Sequence, residues 1–307
     1  MRVLVLVNER AGGVRRSPGL VRELSEILGT PGDVVPYHDG KHAAATVRRF
    51  VADGGQVLAV CGGDGTLMQL ASELAELGPP ERLPRVVVLP AGTVNTLARN
   101  LGVRGDPCEL LRRLVSVLRA GGREELFSSG TLRVGTRCGF IFGAAMPARF
   151  MALYDRAGPG GPARAARLGL RVSLAALFGT RAARELFDPV PAVVEVDGTR
   201  LPEPHFTLLV AASVEDVGLG IKLTYRARER PNAFHLVASA LPARTLAREF
   251  PRTFLGRPLR GVGHHDHVAE RVSLEFLGPQ PYLLDGELFT AETLELRVGP
   301  RLRFGRP

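Results

Sequence analysis

The sequence predicts an α/β domain built on a parallel sheet, followed by a β-rich domain. As far as Leu126, short apolar runs alternate with stretches of helical spacing, which is typical of a parallel sheet covered by helices. From about Glu125 onward, strand-like runs follow one another, separated by glycine and proline turns. Since 307 residues are many for one core, we expect two domains, 1–126 and 127–307.

The elements of the first domain follow from apolar runs and helical periodicity. The strands are predicted near 2–7, 33–37, 56–61 and 85–89, and the helices near 19–28, 42–53, 66–77, 94–101 and 107–120. The opening run is too short for a signal-peptide core with a cleavage site, and we expect a buried strand there. Ligand loops are expected at the carboxyl ends of the strands.

The second domain is expected to contain mainly strands. They are predicted at 130–135, 138–143, 192–196, 206–212, 233–238, 270–277 and 281–284. One helix, at 162–178, combines arginines with an apolar face. It is compatible with an interfacial helix and with a helix packed on the sheet with its arginines in water, and the packed arrangement is favoured.

Two histidine-containing segments are given structural interpretations. The stretch His264-His265-Asp266-His267 is predicted to be a polar turn, because four adjacent side chains do not readily converge on one metal ion. His235 lies in an apolar run and is predicted to be a packed strand residue.

Composition indicates a folded protein with an anionic partner. Hydrophobic residues make up 45% and charged residues 23%, which excludes a disordered chain. The net charge of +9 favours ATP, an acidic membrane surface or nucleic acid. With four Tyr, no Trp and no RNA- or DNA-binding signature, we expect no nucleic-acid partner. No apolar run approaches about 18 residues, so we expect the protein to visit membranes rather than cross them.

The cysteines and lysines narrow the class of protein and its cellular compartment further. Cys61, Cys108 and Cys138 are irregularly spaced and are expected to be reduced thiols in the cytoplasm. The only lysines are Lys41 and Lys222. Because Gly40-Lys41 is followed by His42, the P-loop class is excluded. Phosphate charge would then be met by main-chain amides, metal and arginine.

The first motif, Gly62-Gly63-Asp64-Gly65-Thr66, joins a predicted strand to a predicted helix. Its glycines let a ligand approach the backbone, and the start of the helix offers N–H groups to phosphate. A carboxylate at Asp64 beside a triphosphate is repulsive unless a divalent cation, Mg²⁺, mediates between them. The alternative is an ordinary strand-to-helix turn with a capping Asp or Thr.

The second motif, Gly92-Thr93-Val94-Asn95, repeats this design after another strand. Thr93 and Asn95 could contact ribose or phosphate, or could simply cap the following helix, and this segment does not decide between the two. Arg99 is interpreted as a solvated helix residue in preference to a phosphate partner.

The third motif, Asp285-Gly286-Glu287, follows an apolar run of strand type. A carboxylate within reach of an acceptor hydroxyl assists phosphoryl transfer. Asp-Gly is also a frequent hairpin turn, which is the alternative. Taken with the two upstream motifs, catalysis is favoured.

These motifs, written GGDGT, GTxNxxAR and DGE, resemble in this order the diacylglycerol kinase catalytic family, which includes bacterial lipid kinases and sphingosine kinases. The resemblance runs from Val3 to about Arg303. The opening Asn8-Glu9-Arg10-Ala11-Gly12-Gly13 is similar to the family's first nucleotide loop, with Glu9 in place of the usual proline.

The resemblance implies a cytoplasmic, ATP- and Mg²⁺-dependent lipid kinase, peripheral at the anionic inner membrane face, that phosphorylates a lipid hydroxyl. Diacylglycerol giving phosphatidic acid is the first expectation, and a homodimer is left open. Glu287 would be the general base, Asp285 its support and Asp64 the anchor of Mg²⁺ through water. The implied nucleotide contacts are Asn8, Gly62, Gly63, Asp64, Gly65, Thr66, Gly92, Thr93 and Asn95. The second domain would be a β-sandwich that holds the lipid, with the active site in the cleft between the domains and the last strand, about 293–304, returning to the first domain.

The chain also departs from the family pattern. Met68, Gln69 and Thr96 stand where relatives often carry Asn, Glu and Asp, the segment after Asp216 lacks an acidic Asp-Gly pattern, and no Asp occurs at 143–147. Two alternatives therefore stay open. One is a kinase of a soluble substrate resembling NAD kinases, which share GGDGT, and the other is a catalytically impaired lipid or nucleotide binder.

Overall fold

The protein is described by a computed structural model that covers residues 2–30, 32–122, 125–156 and 161–307. The chain divides into two compact units. The first comprises Met1–Ser129 and Pro300–Pro307, and the second comprises Gly130–Gly299.

The first unit is an α/β layer structure. Its first strands are β1 (Val3–Asn8), β2 (Gly32–Tyr37), β3 (Val57–Gly62), β4 (Arg85–Pro90) and β5 (Glu125–Ser129). Its helices are α1 (Gly12–Arg16), α2 (Leu20–Leu28), α3 (Gly40–Ala52), α4 (Asp64–Leu77), α5 (Thr96–Asn100) and α6 (Pro107–Arg119). β1 to β4 are mutually parallel in the order β2-β1-β3-β4. The central strands are buried throughout, which explains their continuous apolar sequences.

Local sequence signals position the helices of this unit. In α2 the buried residues Leu20, Leu24 and Leu28 are spaced four apart and form one apolar stripe. Asp39 and Asp106 cap α3 and α6 through their carboxylates, at Lys41 N and at Cys108 and Glu109 N. All predicted strands and helices of this region are confirmed to within two residues.

The second unit is antiparallel and β-rich. Its strands are β6 (Leu132–Val134), β7 (Arg137–Gly139), β8 (Ile141–Ala145), β9 (Val190–Val196), β10 (Thr199–Arg200), β11 (His205–Phe206), β12 (Leu208–Ala212), β13 (Phe234–Ser239), β14 (His264–Ala269), β15 (Arg271–Leu284) and β16 (Glu287–Val298). The main order is β14-β13-β12-β8-β15-β16-β6-β7, and β9 pairs with β15 and with the short strands β10 and β11.

In the described part of the second unit, four helices accompany this sheet. They are α7 (Met146–Arg156), α8 (Pro162–Leu177), α9 (Arg181–Leu186) and α10 (Ala243–Thr253). Buried residues of α8, α9 and α10 form one core cluster with β12 and β13. Among the described residues, no helix has the length and hydropathy that crossing a bilayer requires.

The last strand, β17 (Leu302–Arg306), lies in the sheet of the first unit. It runs parallel to β4 and antiparallel to β5, which completes the order β2-β1-β3-β4-β17-β5. Leu302 and Phe304 are buried, and the Phe304 ring stacks on Phe127 of β5.

The predicted polar turn at His264-His265-Asp266-His267 is wrong, because these residues form β14 at one end of the sheet. Alternation along the strand sends their side chains to opposite faces, where His265 and Asp266 meet partners from other elements. His265 Nε2 contacts the Glu203 carboxylate, and Asp266 accepts from Tyr225 Oη at 2.9 Å. The prediction for His235 is confirmed, since it is fully buried in β13.

Candidate active site

Three loops converge at the carboxyl ends of β1, β3 and β4. Ala91 N donates to the carbonyl of Gly62 at 2.8 Å, and Gly13 N donates to the carbonyl of Ala91 at 2.7 Å. Each loop leads into a helix, so main-chain N–H groups gather at this edge. Such an edge is where open α/β sheets bind ligands.

Glycine is required at these turns because the backbones touch. A Cβ on Gly92 would lie 2.5 Å from the Cα of Gly63, and a Cβ on Gly13 would lie 2.6 Å from the carbonyl oxygen of Ala91. Any side chain at either position would push the loops apart. The two glycine motifs found in the sequence thus form one site.

Asn8 and Thr66 join the first loop to the GGDGT turn. Asn8 Nδ2 donates to Thr66 Oγ1 at 2.8 Å, while its Oδ1 accepts from Arg10 N at 3.0 Å. Thr66 is buried, and its oxygen also accepts from Gly63 N at 3.3 Å. The side chains of Asn8 and Thr66 therefore hold the loops in place.

Asp64 caps a helix, but not the helix on which it lies. Its two carboxylate oxygens accept from Thr96 N at 3.0 Å and Leu97 N at 2.9 Å, at the start of α5. Burial raises the pKa of the Asp64 carboxyl, while these hydrogen bonds and the charge of Arg99 act to lower it. Asp64 thus ties the first glycine motif to the second.

Asn95 closes the second motif on itself. It has a left-handed φ of 55°, which asparagine tolerates better than most residues. Its Oδ1 accepts from Gly92 N at 2.8 Å, and its Nδ2 donates to Gly92 O at 3.3 Å. Its side chain makes no capping bond to α5, because Asp64 supplies the cap. Thr93 packs beside the first loop, where its Oγ1 would lie 2.9 Å from a Cβ on Gly12.

Arg16 and Arg99 lie at or near these loops. Arg99 is half-buried, and its Nη2 is withdrawn from solvent with no hydrogen-bond partner in the described part of the chain. The interpretation of Arg99 as solvated is therefore wrong. Arg16, which the sequence analysis missed, has its Nη1 3.4 Å from a Cβ placed on Gly12. Its position in a five-residue helix gave no sequence signal.

The start of α4 supplies free donors. Because the helix begins at Asp64, the N–H groups of its first turn have no carbonyl partner within the helix. With 14 residues, α4 also has a dipole whose positive end points to this turn. The arrangement suits a phosphate group.

The Asp285-Gly286-Glu287 motif belongs to the second unit, where it forms a two-residue hairpin between β15 and β16. Asp285 and Gly286 have φ values of 48° and 89°, as a type I′ turn requires. Both carboxylate oxygens of Asp285 accept from Phe140 N, at 3.1 and 2.9 Å, and one accepts from Ile141 N at 2.8 Å. A Cβ on Gly139 would lie 2.7 Å from Asp285 Oδ2, so glycine makes room for the carboxylate.

A second hairpin in the same unit repeats this geometry. Asp197 and Gly198 have φ values of 48° and 85°, and the Asp197 carboxylate accepts from Glu270 N and Arg271 N at 3.0 and 2.8 Å. Asp197 is exposed, whereas Asp285 is buried. Asp285 and Gly286 therefore do form a hairpin turn, as the alternative interpretation of the motif predicted. The third motif differs from the Asp197 turn in the glutamate that follows it.

Glu287 is the half-buried first residue of β16, and it pairs with Leu284 across the turn. The hydrogen bonds of Asp285 hold the turn against the start of β8, and they thereby fix the position of Glu287. Of the departures from the family pattern, Met68 is buried in the core and Gln69 is exposed. Asp216 closes a local turn by accepting from Gly218 N and Gly220 N.

Glycine turns at the ends of neighbouring parallel strands, each followed by a helix, define an α/β domain of the phosphate-binding type. Residues 2–121 match the family model of the diacylglycerol kinase catalytic domain. The part of the chain that carries the first two motifs is therefore similar to the diacylglycerol kinase catalytic domain, and the resemblance stated from the sequence is confirmed over these residues.

Solved structures agree on the fold. A diacylglycerol kinase from Bacillus anthracis str. Sterne is similar over 100% of this chain and 97% of its own, with 14% identity and a TM-score of 0.67. Two structures of a candidate diacylglycerol kinase from the same strain show 15% identity with TM-scores of 0.72 and 0.71, over 100% and 99% of this chain and 97% of each of theirs. A comparison with curated proteins finds no match.

Proposed function

We propose that this chain transfers the γ-phosphate of ATP to the hydroxyl group of a lipid, with diacylglycerol as the acceptor and phosphatidic acid as the product. The observation that supports this most is the convergence of three loops, held backbone to backbone by Gly13, Gly63 and Gly92. The match of residues 2–121 to the diacylglycerol kinase catalytic domain supports a lipid as the acceptor.

In this proposal the nucleotide phosphates bind the main-chain N–H groups at the start of α4, from Asp64 to Thr66, and that of Thr93, while Gly62, Gly63 and Gly92 let them approach the backbone. Asn8 and Asn95 keep those amides in place through the hydrogen bonds described above. Arg16 and Arg99 meet the phosphate charge that a P-loop lysine would otherwise meet. The unpartnered Nη2 of Arg99 supports its part in this role.

The donor set at Asp64 suits a Mg²⁺ ion that arrives with the nucleotide. Each carboxylate oxygen of Asp64 accepts one main-chain hydrogen bond, which leaves lone pairs for a metal-bound water. Mg²⁺ commonly keeps several waters and binds through one or two carboxylates and the substrate phosphates. When bound, it would neutralise charge on the β- and γ-phosphates.

Glu287 acts in this proposal as the general base. Its carboxylate takes the proton of the lipid hydroxyl as that oxygen bonds to the γ-phosphorus and the bond to the bridging β,γ-oxygen breaks, releasing ADP. Asp285 is a positioning residue, since its oxygens are already committed to main-chain amides. We also propose that the enzyme works from the cytoplasm at the anionic inner membrane face, which its net charge of +9 favours.

The test is transfer of label from γ-labelled Mg-ATP into a mixed lipid extract, with NAD and other soluble hydroxyl compounds as parallel acceptors. Label in phosphatidic acid alone is the expected result. Label in a soluble acceptor would favour an NAD-kinase-like activity, and tight ATP binding with no labelled product would favour a binder; either result would overturn the proposal.

A further inference from the structure

The solvent-facing side of α8 carries exposed apolar side chains. Leu170 is 62% exposed, Leu174 46% and Phe178, which immediately follows the helix, 83%. Their spacing of four residues places them on one face. On the other side of the helix, Ala165 and Ala176 are buried.

Packing within the described part of the chain does not account for this face. Val172, Ala175 and Leu177 already pack against the core cluster of the second unit, and α8 also packs against α10. A helix anchored in this way normally turns polar residues to the solvent. The outward leucines and phenylalanine thus form a contiguous apolar stripe that a partner would cover.

Positive charge surrounds the stripe. Between Arg156 and Arg184 the sequence holds six arginines and no acidic residue. They are Arg156, Arg164, Arg167, Arg171, Arg181 and Arg184. Arg167 and Arg171 are exposed beside the stripe, and among the described residues no salt bridge to a carboxylate involves either of them.

We propose that this face docks on an anionic bilayer, with Leu170, Leu174 and Phe178 entering the boundary between headgroups and acyl chains and Arg167 and Arg171 pairing with lipid phosphates. Apolar residues flanked by arginine, with no acidic residue, match the chemistry of such a surface. A second copy of the chain fits less well, because a two-fold contact would bring the same arginines together.

This inference deepens the proposed function and rests on it for the choice of a bilayer as the partner. It assigns the surface through which the kinase reaches its lipid. Binding to vesicles can be measured without turnover, and turnover can be measured on short-chain diacylglycerol in detergent without vesicles. Failure of the docking surface and failure of the kinase assignment are therefore separable.

The first experiment uses the absence of tryptophan from the chain. Phe178→Trp introduces a single reporter on the stripe, and Leu277→Trp introduces one at a residue that is 82% exposed in β15. With vesicles of phosphatidylcholine and phosphatidylglycerol, we expect a blue shift and quenching by brominated lipid for Phe178→Trp only. No shift for Phe178→Trp, or equal shifts at both positions, would overturn the proposal.

The second experiment is vesicle sedimentation. Replacing Leu170, Leu174 and Phe178 together by Ser should weaken partitioning by at least about a hundredfold, because the buried apolar area is lost. Arg167→Gln with Arg171→Gln should weaken it by about fivefold for each arginine, and only with phosphatidylglycerol present. The matched pair Arg104→Gln with Arg200→Gln, at exposed positions elsewhere, should bind as the unaltered chain does.

Circular dichroism should show that all variants keep their fold, since every changed side chain is exposed. Undiminished partitioning of the serine variant would contradict the assignment. So would a concentration-dependent dimer, seen by size exclusion, that the serine variant abolishes, because the stripe would then bind a second copy.

Discussion

Asn8 donates a hydrogen bond from Nδ2 to Oγ1 of Thr66 at 2.8 Å, across 58 residues of sequence. Its other amide atom accepts from Arg10 N, so one side chain shapes its own loop and binds the next. The first loop and the GGDGT turn are held in register by this residue.

Asn8→Ala should therefore weaken ATP binding rather than unfold the first unit. The loss of hydrogen bonds between partly buried groups corresponds to about 1–2 kcal/mol, or roughly tenfold in the dissociation constant. Titration calorimetry with Mg-ATP measures this change. Asn232→Ala, at an exposed position, serves as the control, and equal affinities for the two variants would show that the contact does not organise the site.

Asp64→Asn should destabilise the junction between the two glycine motifs. An asparagine offers one acceptor and one donor where Thr96 N and Leu97 N both donate, so one amide loses its partner at a cost of about 1–3 kcal/mol. Urea unfolding followed by circular dichroism measures the difference.

Asp106→Asn is the matched control for Asp64→Asn. Asp106 caps α6 from an exposed position, and asparagine caps helices about as well as aspartate, so a change below about 0.5 kcal/mol is expected. Equal losses for the two variants would contradict the bridging role of Asp64.

Asp285→Asn should cost more stability than Asp197→Asn, although the two turns have the same backbone geometry. Asparagine suits the left-handed φ of both residues, so the backbone is not strained. Burial makes the lost acceptor at Asp285 cost about 1–3 kcal/mol, while water replaces it at Asp197. Chemical denaturation compares the two variants, and a larger loss for Asp197→Asn would refute the positioning role of Asp285.

Stability should fall in two steps as the pH is lowered. Burial lowers the pKa of both His264 and His267. At His264 the charges of His265 and His235 lower the pKa further, while those of Asp266 and Glu249 raise it. The unfolded chain therefore binds protons more readily than the folded one. Stability should decline as the pH falls through about 6.5 and level off below the lowered folded values.

The second step arises from Asp266. Burial opposes its ionisation, but hydrogen bonds from His235, Arg226 and Tyr225 bring its pKa well below the usual range. Its contribution is present above the unfolded pKa of about 4 and is lost as the pH falls below that value.

Urea unfolding at pH 8 and 6 measures the first step, and unfolding at pH 5 and 3 measures the second. His264→Phe should reduce the change between pH 8 and pH 6, and His42→Gln, at an exposed position on α3, should leave it as it is. A pH dependence that is the same in the His264→Phe variant would contradict the first step.

Sequence reasoning found β1 to β4 and α2 to α6 because their signals are local, whereas the short elements α1 and β5 were not predicted. Apolar runs of strand length and amphipathic periods fix β1 to β4 and the helices between them. The strand at His264–Ala269 was missed because two of its polar residues, His265 and Asp266, bind partners distant in sequence, Glu203 and Tyr225. Tertiary contacts overrode the local pattern there.

The motifs located the site, but the roles of its residues needed coordinates. Nothing local to Asp64 indicates that it caps a helix 32 residues later. Nor does the sequence show that Arg99 is withdrawn from water or that Arg16 lies beside Gly12. Such contacts depend on how separate loops meet in the folded chain, and the periodicity of the sequence does not predict them.

The central claim is tested most directly by comparing Glu287→Gln with Glu292→Gln in diacylglycerol phosphorylation. Both glutamates lie on β16, and Glu292 is exposed outside the motif. If Glu287 is the base of a lipid kinase, its variant should lose about 10²–10⁴-fold in kcat while binding Mg-ATP normally, and Glu292→Gln should keep full activity. Full activity in Glu287→Gln, or no phosphatidic acid from the unaltered chain, would contradict the account.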